Sequence, residues 1–159
     1  MGVAGQITQG NGVAFDSSGN IYLTGRTSGN LDGQALSGIQ DLFVTKYDTG
    51  GNKQWTRLLG VAGVSTTAYG ITSDSLGNVY TTGVTSGSLD GQALSGTQDL
   101  FVTKYDTGGN KQWTRLLGVA GQITQANGIA SDSSGNTYLT GRTSGSLDGQ
   151  ALSGTQDHL

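Results

Sequence analysis

The segment DLFVTKYDTGGNKQWTRLLGVAG, residues 41–63, recurs without a single change at residues 99–121. The repetition continues on both sides of this segment with a spacing of 58 residues. The copies are residues 2–59, 60–117 and 118–159, the third of them incomplete. A fixed period of this size is typical of folds that repeat one supersecondary unit. We therefore predict that residues 1–159 form one repeat domain.

Each complete copy contains four short runs with the composition of β-strands, separated by turn signals. In the first copy the predicted strands cover residues 12–15, 20–27, 42–47 and 53–59. Gly-containing turns, DSSG at 16–19 and DTGGN at 48–52, join them into two hairpins, with a long polar loop at 28–40 between the hairpins. The pattern predicts a four-stranded antiparallel unit.

The composition favours strands and turns over helices. Glycine supplies 29 of the 159 residues, whereas proline and cysteine are absent. Side-chain size rises along each copy, from small residues in the first strand to Tyr22, Phe43 and Trp55 in the later ones. Small inner strands and bulky outer strands suit a wedge that packs around a central channel, as the blades of a β-propeller do. The predicted fold class is all-β, with β-propeller blades.

Two motifs in fixed order carry a resemblance to a known family. The first, G-[VI]-x-x-D-S-x-G-N-x-Y-x-T-G, occurs at residues 12–25, 70–83 and 128–141, and the second, D-L-F-V-T-K-Y-D-x-x-G-x-x-x-W-T-R-x-L-G, begins at Asp41 and Asp99. The chain resembles the bacterial and cyanobacterial β-propeller repeat family called the SBBP, or seven-bladed, type. The resemblance implies a propeller fold and a parent protein at the cell surface or outside the cell. It implies no common reaction, because propellers host many functions.

The number of repeats sets an expectation about assembly. Three copies of the first hairpin and two of the second give about ten strands, or about two and a half blades, whereas a closed propeller has about four to eight. Open end blades expose faces and strand edges that favour pairing with another chain. We therefore expect a homo-oligomer that closes the ring, first of all a dimer of about five blades. The alternative fold is a β-trefoil, which also has three repeats but needs about twelve strands.

The ends of the chain add two further expectations. The third copy departs from the pattern at Gln156-Asp157-His158-Leu159, where the earlier copies read Gln-Asp-Leu-Phe. Together with the nearly identical repeats, this is typical of a truncated or engineered product of a longer repeat protein. The N-terminus has no basic segment followed by an apolar run, so we expect no signal peptide. We also expect the chain to be soluble.

The charge and hydropathy of the sequence argue against two classes of partner, nucleic acids and membranes. The formal net charge is −3, and the basic residues form no stripe that would neutralise phosphates, so nucleic acid is not an expected partner. No apolar run approaches the roughly 18 residues of a membrane-spanning helix, so a membrane is not expected either.

The sequence offers no catalytic constellation, and we predict that the protein is not an enzyme and holds no cofactor. His158, the single histidine, lies at a ragged end, where a general base has no fixed geometry. Asp16 and Asp48 open Gly-containing turns, where an Asp side chain caps its own backbone. Repeated carboxylates in equal environments do not provide the unequal pair that glycoside cleavage needs.

Two sets of residues are weak candidates for binding. Asp90 and Asp99 flank a loop rich in oxygen ligands that suits calcium, although the spacing matches no calcium motif and Leu89 and Leu94 favour a loop that folds back onto the blade. Trp55 and Trp113 are candidate platforms for sugar stacking, although their place in the fourth strand favours packing. The sequence thus favours a non-enzymatic, self-assembling repeat scaffold of unknown specific function, with a multivalent lectin-like, carbohydrate-binding module as the alternative.

Overall fold

A computed structural model describes residues 2–159. These residues contain eleven β-strands and no helix, so none that could span a membrane. The strands are β1 Thr8–Phe15, β2 Ile21–Thr27, β3 Asp41–Tyr47, β4 Lys53–Leu59, β5 Thr66–Ser73, β6 Val79–Thr85, β7 Asp99–Tyr105, β8 Lys111–Leu117, β9 Thr124–Ser131, β10 Thr137–Thr143 and β11 Asp157–His158. The predicted all-β class is confirmed.

The strands form three separate antiparallel sheets, which we call blades 1, 2 and 3. Blade 1 has the order β1-β2-β3-β4 and blade 2 the order β5-β6-β7-β8. Blade 3 has three strands in the order β9-β10-β11. Each blade is a meander in which every strand pairs with its neighbour in sequence, as the two predicted hairpins of a copy require. Separate four-stranded sheets are propeller blades and exclude the β-trefoil alternative.

The inner strand is longer than the sequence predicted. We expected it to start at Gly12, but β1 begins at Thr8, because a bulge between Gly10 and Gly12 lets pairing continue from Gly12–Thr24 back to Thr8–Thr27. The same shift occurs in β5 and β9. A bulge inserts one unpaired residue without ending the ladder. Because the bulge interrupts the alternation of side chains, the sequence pattern did not show that the strand begins before Gly12.

Blade 3 also differs from the expected half blade. Its two inner strands are complete, and a third strand of two residues, Asp157–His158, pairs with Thr143 and Arg142. Residues 2–159 therefore contain eleven strands rather than about ten, and they occupy three blade positions rather than two and a half. Only the outer part of the third position lacks strands within residues 2–159.

The Asp residues at the turns act as predicted. The Asp16 carboxylate accepts hydrogen bonds from the backbone N–H groups of Ser18 and Asn20, at 2.9 and 3.0 Å. Gly19 has a φ of 79°, which a residue with a Cβ rarely adopts. The equivalent turns at Asp48, Asp74, Asp106 and Asp132 repeat this arrangement. These carboxylates fix the hairpin turns.

The two faces of each blade have different neighbours. Strand alternation places Ala14, Tyr22, Val44 and Trp55 on one side of blade 1, which we call the forward face because it packs on blade 2. The opposite side, called the rear face, faces the preceding blade position. In blade 2 the rear face includes Ile71, Thr81, Phe101 and Tyr105.

The forward face of blade 1 meets the rear face of blade 2 in the core of the molecule. Tyr22 and Val44 are fully buried there, beside Ile71 and Phe101. The hydroxyls of Thr24 and Thr81 lie 3.0 Å apart across the junction, so each buried hydroxyl has a partner. Burying large apolar side chains between the sheets is the main force that joins the blades.

In blades 1 and 2 the outer half of the rear face is covered by the blade's own long loop. Leu31, in the loop between β2 and β3, is only 1% exposed, and Phe43 on β3 is fully buried. The loop is fixed by Asp41, whose carboxylate accepts hydrogen bonds from the N–H groups of Ser37 and Gly38. The loop therefore folds back onto the blade, as the repeated leucines indicated.

Gly83→Ala should destabilise the fold, because its Cβ would overlap the carbonyl oxygen of Thr67 on the neighbouring strand. Overpacking of this kind costs about 1–3 kcal/mol. Gly10→Ala is the matched control, since a Cβ there meets no atom within 4 Å and Ala68 and Ala126 occupy the same position in the other copies. Urea unfolding should show a lower midpoint for Gly83→Ala alone. Equal midpoints for the two variants would contradict the strand pairing.

Candidate functional site: the two open blade faces

The forward face of blade 3 is the first of two large surfaces without a neighbouring blade. Its central residue, Tyr138, is 60% exposed, whereas Tyr22 and Tyr80 in the equivalent positions of blades 1 and 2 are 0% and 4% exposed. The three tyrosines have the same local structure, since each hydroxyl donates a hydrogen bond to the Asp of its own turn. Two things differ within residues 2–159. Blade 3 has no following blade, and it lacks the outer-strand Trp and Lys that pack on the tyrosine in blades 1 and 2.

The rear face of blade 1 is the second open surface, at the other end of the array. Val13 and Phe15 are 54% and 62% exposed, whereas Ile71, which matches Val13 in blade 2, is 8% exposed. Leu23 and Ile21 line the same face. Blade 2 carries Thr81 and Ser73 where blade 1 has Leu23 and Phe15, so the open rear face is more apolar than its buried counterpart. This exposed apolar surface is a candidate interaction site.

The open forward face is chemically the same as a face that is already bound within the molecule. Six residues of the inner hairpin on the forward face of blade 1 recur unchanged in blade 3. They are Asn11, Gly12, Ala14, Tyr22, Thr24 and Arg26, matched by Asn127, Gly128, Ala130, Tyr138, Thr140 and Arg142. In blade 1, Asn11 donates a hydrogen bond of 2.8 Å to the carbonyl oxygen of Ala68 in blade 2. The inner half of the forward face of blade 3 thus has the same residues as a face that packs on a rear face within the molecule.

The two tryptophans, predicted as candidate sugar platforms, lie in different environments. Trp55 lies between Tyr22 and Tyr105, with ring centroids 6.0 and 6.5 Å away, and its indole N–H donates to the carbonyl oxygen of Thr107 at 3.2 Å. Trp113 has an aromatic neighbour on its own blade, Tyr80 at 6.0 Å, but no ring from blade 3 packs on it within residues 2–159. Trp55 thus packs against two blades, whereas Trp113 has an aromatic neighbour on its own blade alone within the described residues. Sugar binding by either residue stays a prediction.

The calcium candidates also have separate partners. Asp90 forms an ion pair with Lys111, whereas Asp99 is fully buried and accepts hydrogen bonds from the N–H groups of Ser95 and Gly96. Across residues 2–159, no three His, Cys, Asp or Glu side chains lie together as metal ligands. Both carboxylates thus act in loop structure, and a calcium role for them stays a prediction.

His158 lies in β11, where it pairs with Arg142 of β10, and its side chain is exposed. Nearby, a cavity of about 310 Å³ is lined by Leu147, Leu159 and Asp148 among others. Leu147 is partly exposed, whereas its equivalents Leu31 and Leu89 are 1% and 0% exposed. The cavity occupies the region that the outer strands cover in blades 1 and 2.

Sequence reasoning predicted that the end blades would have open faces, but it did not identify the residues that form them. Val13, Phe15 and Tyr138 were not distinguished from their buried equivalents. A signal was available for Phe15, because the other copies carry Ser73 and Ser131 at that position. No such signal exists for Tyr138, since all three copies have tyrosine there.

Comparison with known proteins agrees with this geometry. A family model described as β-propeller repeat, SBBP, matches residues 1–32, 54–90 and 112–148. A curated relative, "Regulatory protein FlaEY" of Caulobacter vibrioides, is 32% identical over 148 residues. The match covers 84% of this chain and 15% of that protein, so the chain spans only a small part of its relative's length.

The two tryptophans provide a matched pair of mutations, because both lie in the sequence KQWTRLL. Trp55→Ala should lower the free energy of unfolding by about 2–4 kcal/mol, since it removes a ring packed between two blades together with a hydrogen bond. Trp113→Ala should cost clearly less. Urea unfolding of both variants gives the comparison, and equal losses would contradict the described packing of Trp55.

The turn carboxylates predict how stability depends on pH. Burial raises the pKa of Asp74, but hydrogen bonds from Asn78, Tyr80 and the Leu76 backbone outweigh burial, so its pKa lies below the ordinary value of 3.8. Asp16 has the same balance. A carboxyl with a lowered pKa in the folded state stabilises the fold above its unfolded-state pKa, and this stability is lost as the pH falls through the folded-state value.

We therefore expect the urea midpoint to be constant above about pH 5 and to fall steadily below about pH 4. Asp74→Asn should reduce the midpoint at pH 7 and make the acid dependence shallower. A midpoint that does not change between pH 6 and pH 3 would contradict the assigned role of these carboxylates.

Proposed function

Because the chain belongs to the β-propeller repeat family, we propose that it is a non-enzymatic scaffold that self-assembles through its two open blade faces. The observation that carries this proposal is the contrast between Val13, which is 54% exposed on the open rear face, and its equivalent Ile71, which is 8% exposed against blade 1. An identical inner forward face is already buried against a rear face inside the same molecule. The simplest partner for each open face is therefore the opposite face of a second copy.

The geometry of the blades favours a ring of two chains. Each chain occupies three blade positions, so two copies provide six, within the range of about four to eight that closed propellers use. The forward face of each blade 3 would cover the rear face of the other copy's blade 1. Two identical junctions then close the ring with two-fold symmetry and leave no open face.

Two features support a non-enzymatic role. The carboxylates that the sequence singled out in the turns and the long loop accept hydrogen bonds or form ion pairs there. The name of the Caulobacter relative describes regulation rather than a reaction. A scaffold that presents repeated surfaces fits both features.

The mass of the particle in solution tests the proposal. Light scattering coupled to size exclusion should give about 32 kDa, twice the chain mass of 16.2 kDa. The thermal midpoint should rise with protein concentration, because the dimer buries surface that the separate chains expose. A compact monomer with a midpoint independent of concentration would overturn self-assembly.

A matched pair of variants locates the contact. Tyr138→Lys places a charge at the centre of the open forward face and should convert the dimer into monomer. Leu76→Lys is the control, because Leu76 is 79% exposed but lies in a hairpin turn rather than on a blade face. A dimer that survives Tyr138→Lys would show that another surface holds the copies together.

A further inference from the structure

A short segment links each blade to the next and is held by the loop of the preceding blade. At the first junction the N–H of Ile39 donates to the carbonyl oxygen of Val64 at 2.8 Å, and the N–H of Thr66 donates to that of Gln40 at 2.9 Å. Residues Gln40 and Ser65 form a parallel bridge there. The segment that follows β4 is thus paired with the loop that precedes β3.

The second junction repeats this pairing. The N–H of Thr97 donates to the carbonyl oxygen of Gln122 at 2.8 Å, and the N–H of Thr124 donates to that of Gln98 at 2.9 Å. A parallel bridge joins Gln98 to Ile123. The two junctions have the same pattern of hydrogen bonds. We call this pairing, which joins residues 95–99 to residues 118–125 at the second junction, the latch.

Each latch depends on two glycines that let backbone and carboxylate approach closely. A Cβ at Gly96 would lie 2.8 Å from the carbonyl oxygen of Val119 and would overlap that of Gln122. A Cβ at Gly118 would overlap the carboxylate of Asp99, which is fully buried. Gly38 and Gly60 have the same constraints in the first latch. A larger residue at either glycine position is incompatible with the latch.

Each of the two segments that form a latch occurs once more in the chain, and there it is not paired with the other segment. The loop residues 153–157 have the sequence SGTQD, identical to residues 95–99, and residues 2–9 have the sequence GVAGQITQ, identical to residues 118–125. A Cβ at Gly2 meets no atom within 4 Å, and a Cβ at Gly154 meets none nearer than 3.7 Å. The space that a latch would fill at these two glycines is open.

We propose that residues 2–9 of one copy bind residues 153–157 of a second copy and form a third latch between chains. This inference rests on the proposed self-assembly and names the segments that join the copies. By analogy with the second junction, the N–H of Thr155 donates to the carbonyl oxygen of Gln6, and the N–H of Thr8 donates to that of Gln156. Gly2 then lies against the carboxylate of Asp157.

The same docking places the open faces together. Inside the chain, each latch accompanies a forward face packed on a rear face, because the linking segment leads directly into the inner strand of the next blade. Residues 2–9 likewise lead into β1, whose Val13 and Phe15 line the open rear face. A latch between chains thus brings that face onto Tyr138 of the other copy.

Gly154→Val tests the latch without affecting the separate chain, because its side chain has room there. It should weaken the dimer about 100-fold or more, since the symmetric ring contains two latches and both would be overpacked. Ala151→Val is the control in the same loop, because Ala35 and Ala93 at the equivalent positions are exposed. Sedimentation velocity across a range of concentrations measures both dissociation constants, and circular dichroism of the dilute protein checks the fold.

The other half of the latch offers an independent pair of variants. Gly2→Val should weaken the dimer as Gly154→Val does, because the valine would meet the carboxylate of Asp157. Ala4→Val should leave the dimer intact, since Ala62 and Ala120 are exposed at the internal junctions. In the double variant of both glycines the two losses should not add, since either change removes the same contact.

The outcomes separate this inference from the proposed function. A wild-type protein that stays monomeric at every concentration overturns both. A wild-type dimer that neither Gly154→Val nor Gly2→Val weakens shows that the copies associate without the latch, which overturns the latch alone. Loss of the dimer in both glycine variants, with both alanine controls unchanged, supports the latch.

Discussion

A four-stranded blade has two faces and can cover neither of them by itself. The long loop covers the outer half of the rear face, where the Thr56 hydroxyl donates to the Asp32 carboxylate. On the forward face, Lys46 and Arg57 cover only part of Tyr22 and Trp55, and Tyr105 of blade 2 packs on Trp55. A second sheet has to provide that cover, and the blades of this chain stack in sequence order to do so. The hydrophobic core therefore lies between blades rather than within one. An open blade face therefore exposes residues that would form a hydrophobic core if a second sheet packed on them.

This dependence explains why residues with the same sequence have different environments. Trp55 and Trp113 occur in the same seven-residue sequence, yet only the Trp55 ring packs between rings of two blades. The tyrosines Tyr22, Tyr80 and Tyr138 bind their turn carboxylates in the same way, yet only Tyr138 is exposed. Local structure follows the repeat, whereas burial follows the position of the blade in the array.

The same distinction separates what the sequence could predict from what it could not. Strand order, hairpin turns and the role of the turn carboxylates follow from local signals, and the structure has all three. The early start of β1 was missed because the bulge between Gly10 and Gly12 breaks the alternation of side chains. The open faces could be expected from the number of copies, but Tyr138 could not be identified, because its sequence context equals that of its buried equivalents. Exposure there depends on segments that are distant in sequence, namely a following blade and the outer strands that pack on Tyr22 and Tyr80 in their own blades.

Near identity of the repeats also limits which functions suit this chain. Catalysis by a pair of carboxyls needs two groups at one place in unequal environments. The repeated turn carboxylates instead lie in separate blades, each bound to its own hairpin turn. Repetition has the opposite effect on assembly, because a face that binds its neighbour within the chain keeps the same chemistry at the end of the array. The inner forward face of blade 3 has all six residues that blade 1 uses. The constraint that leaves the faces of a single blade uncovered thus leaves the terminal blades with open faces of the same chemistry.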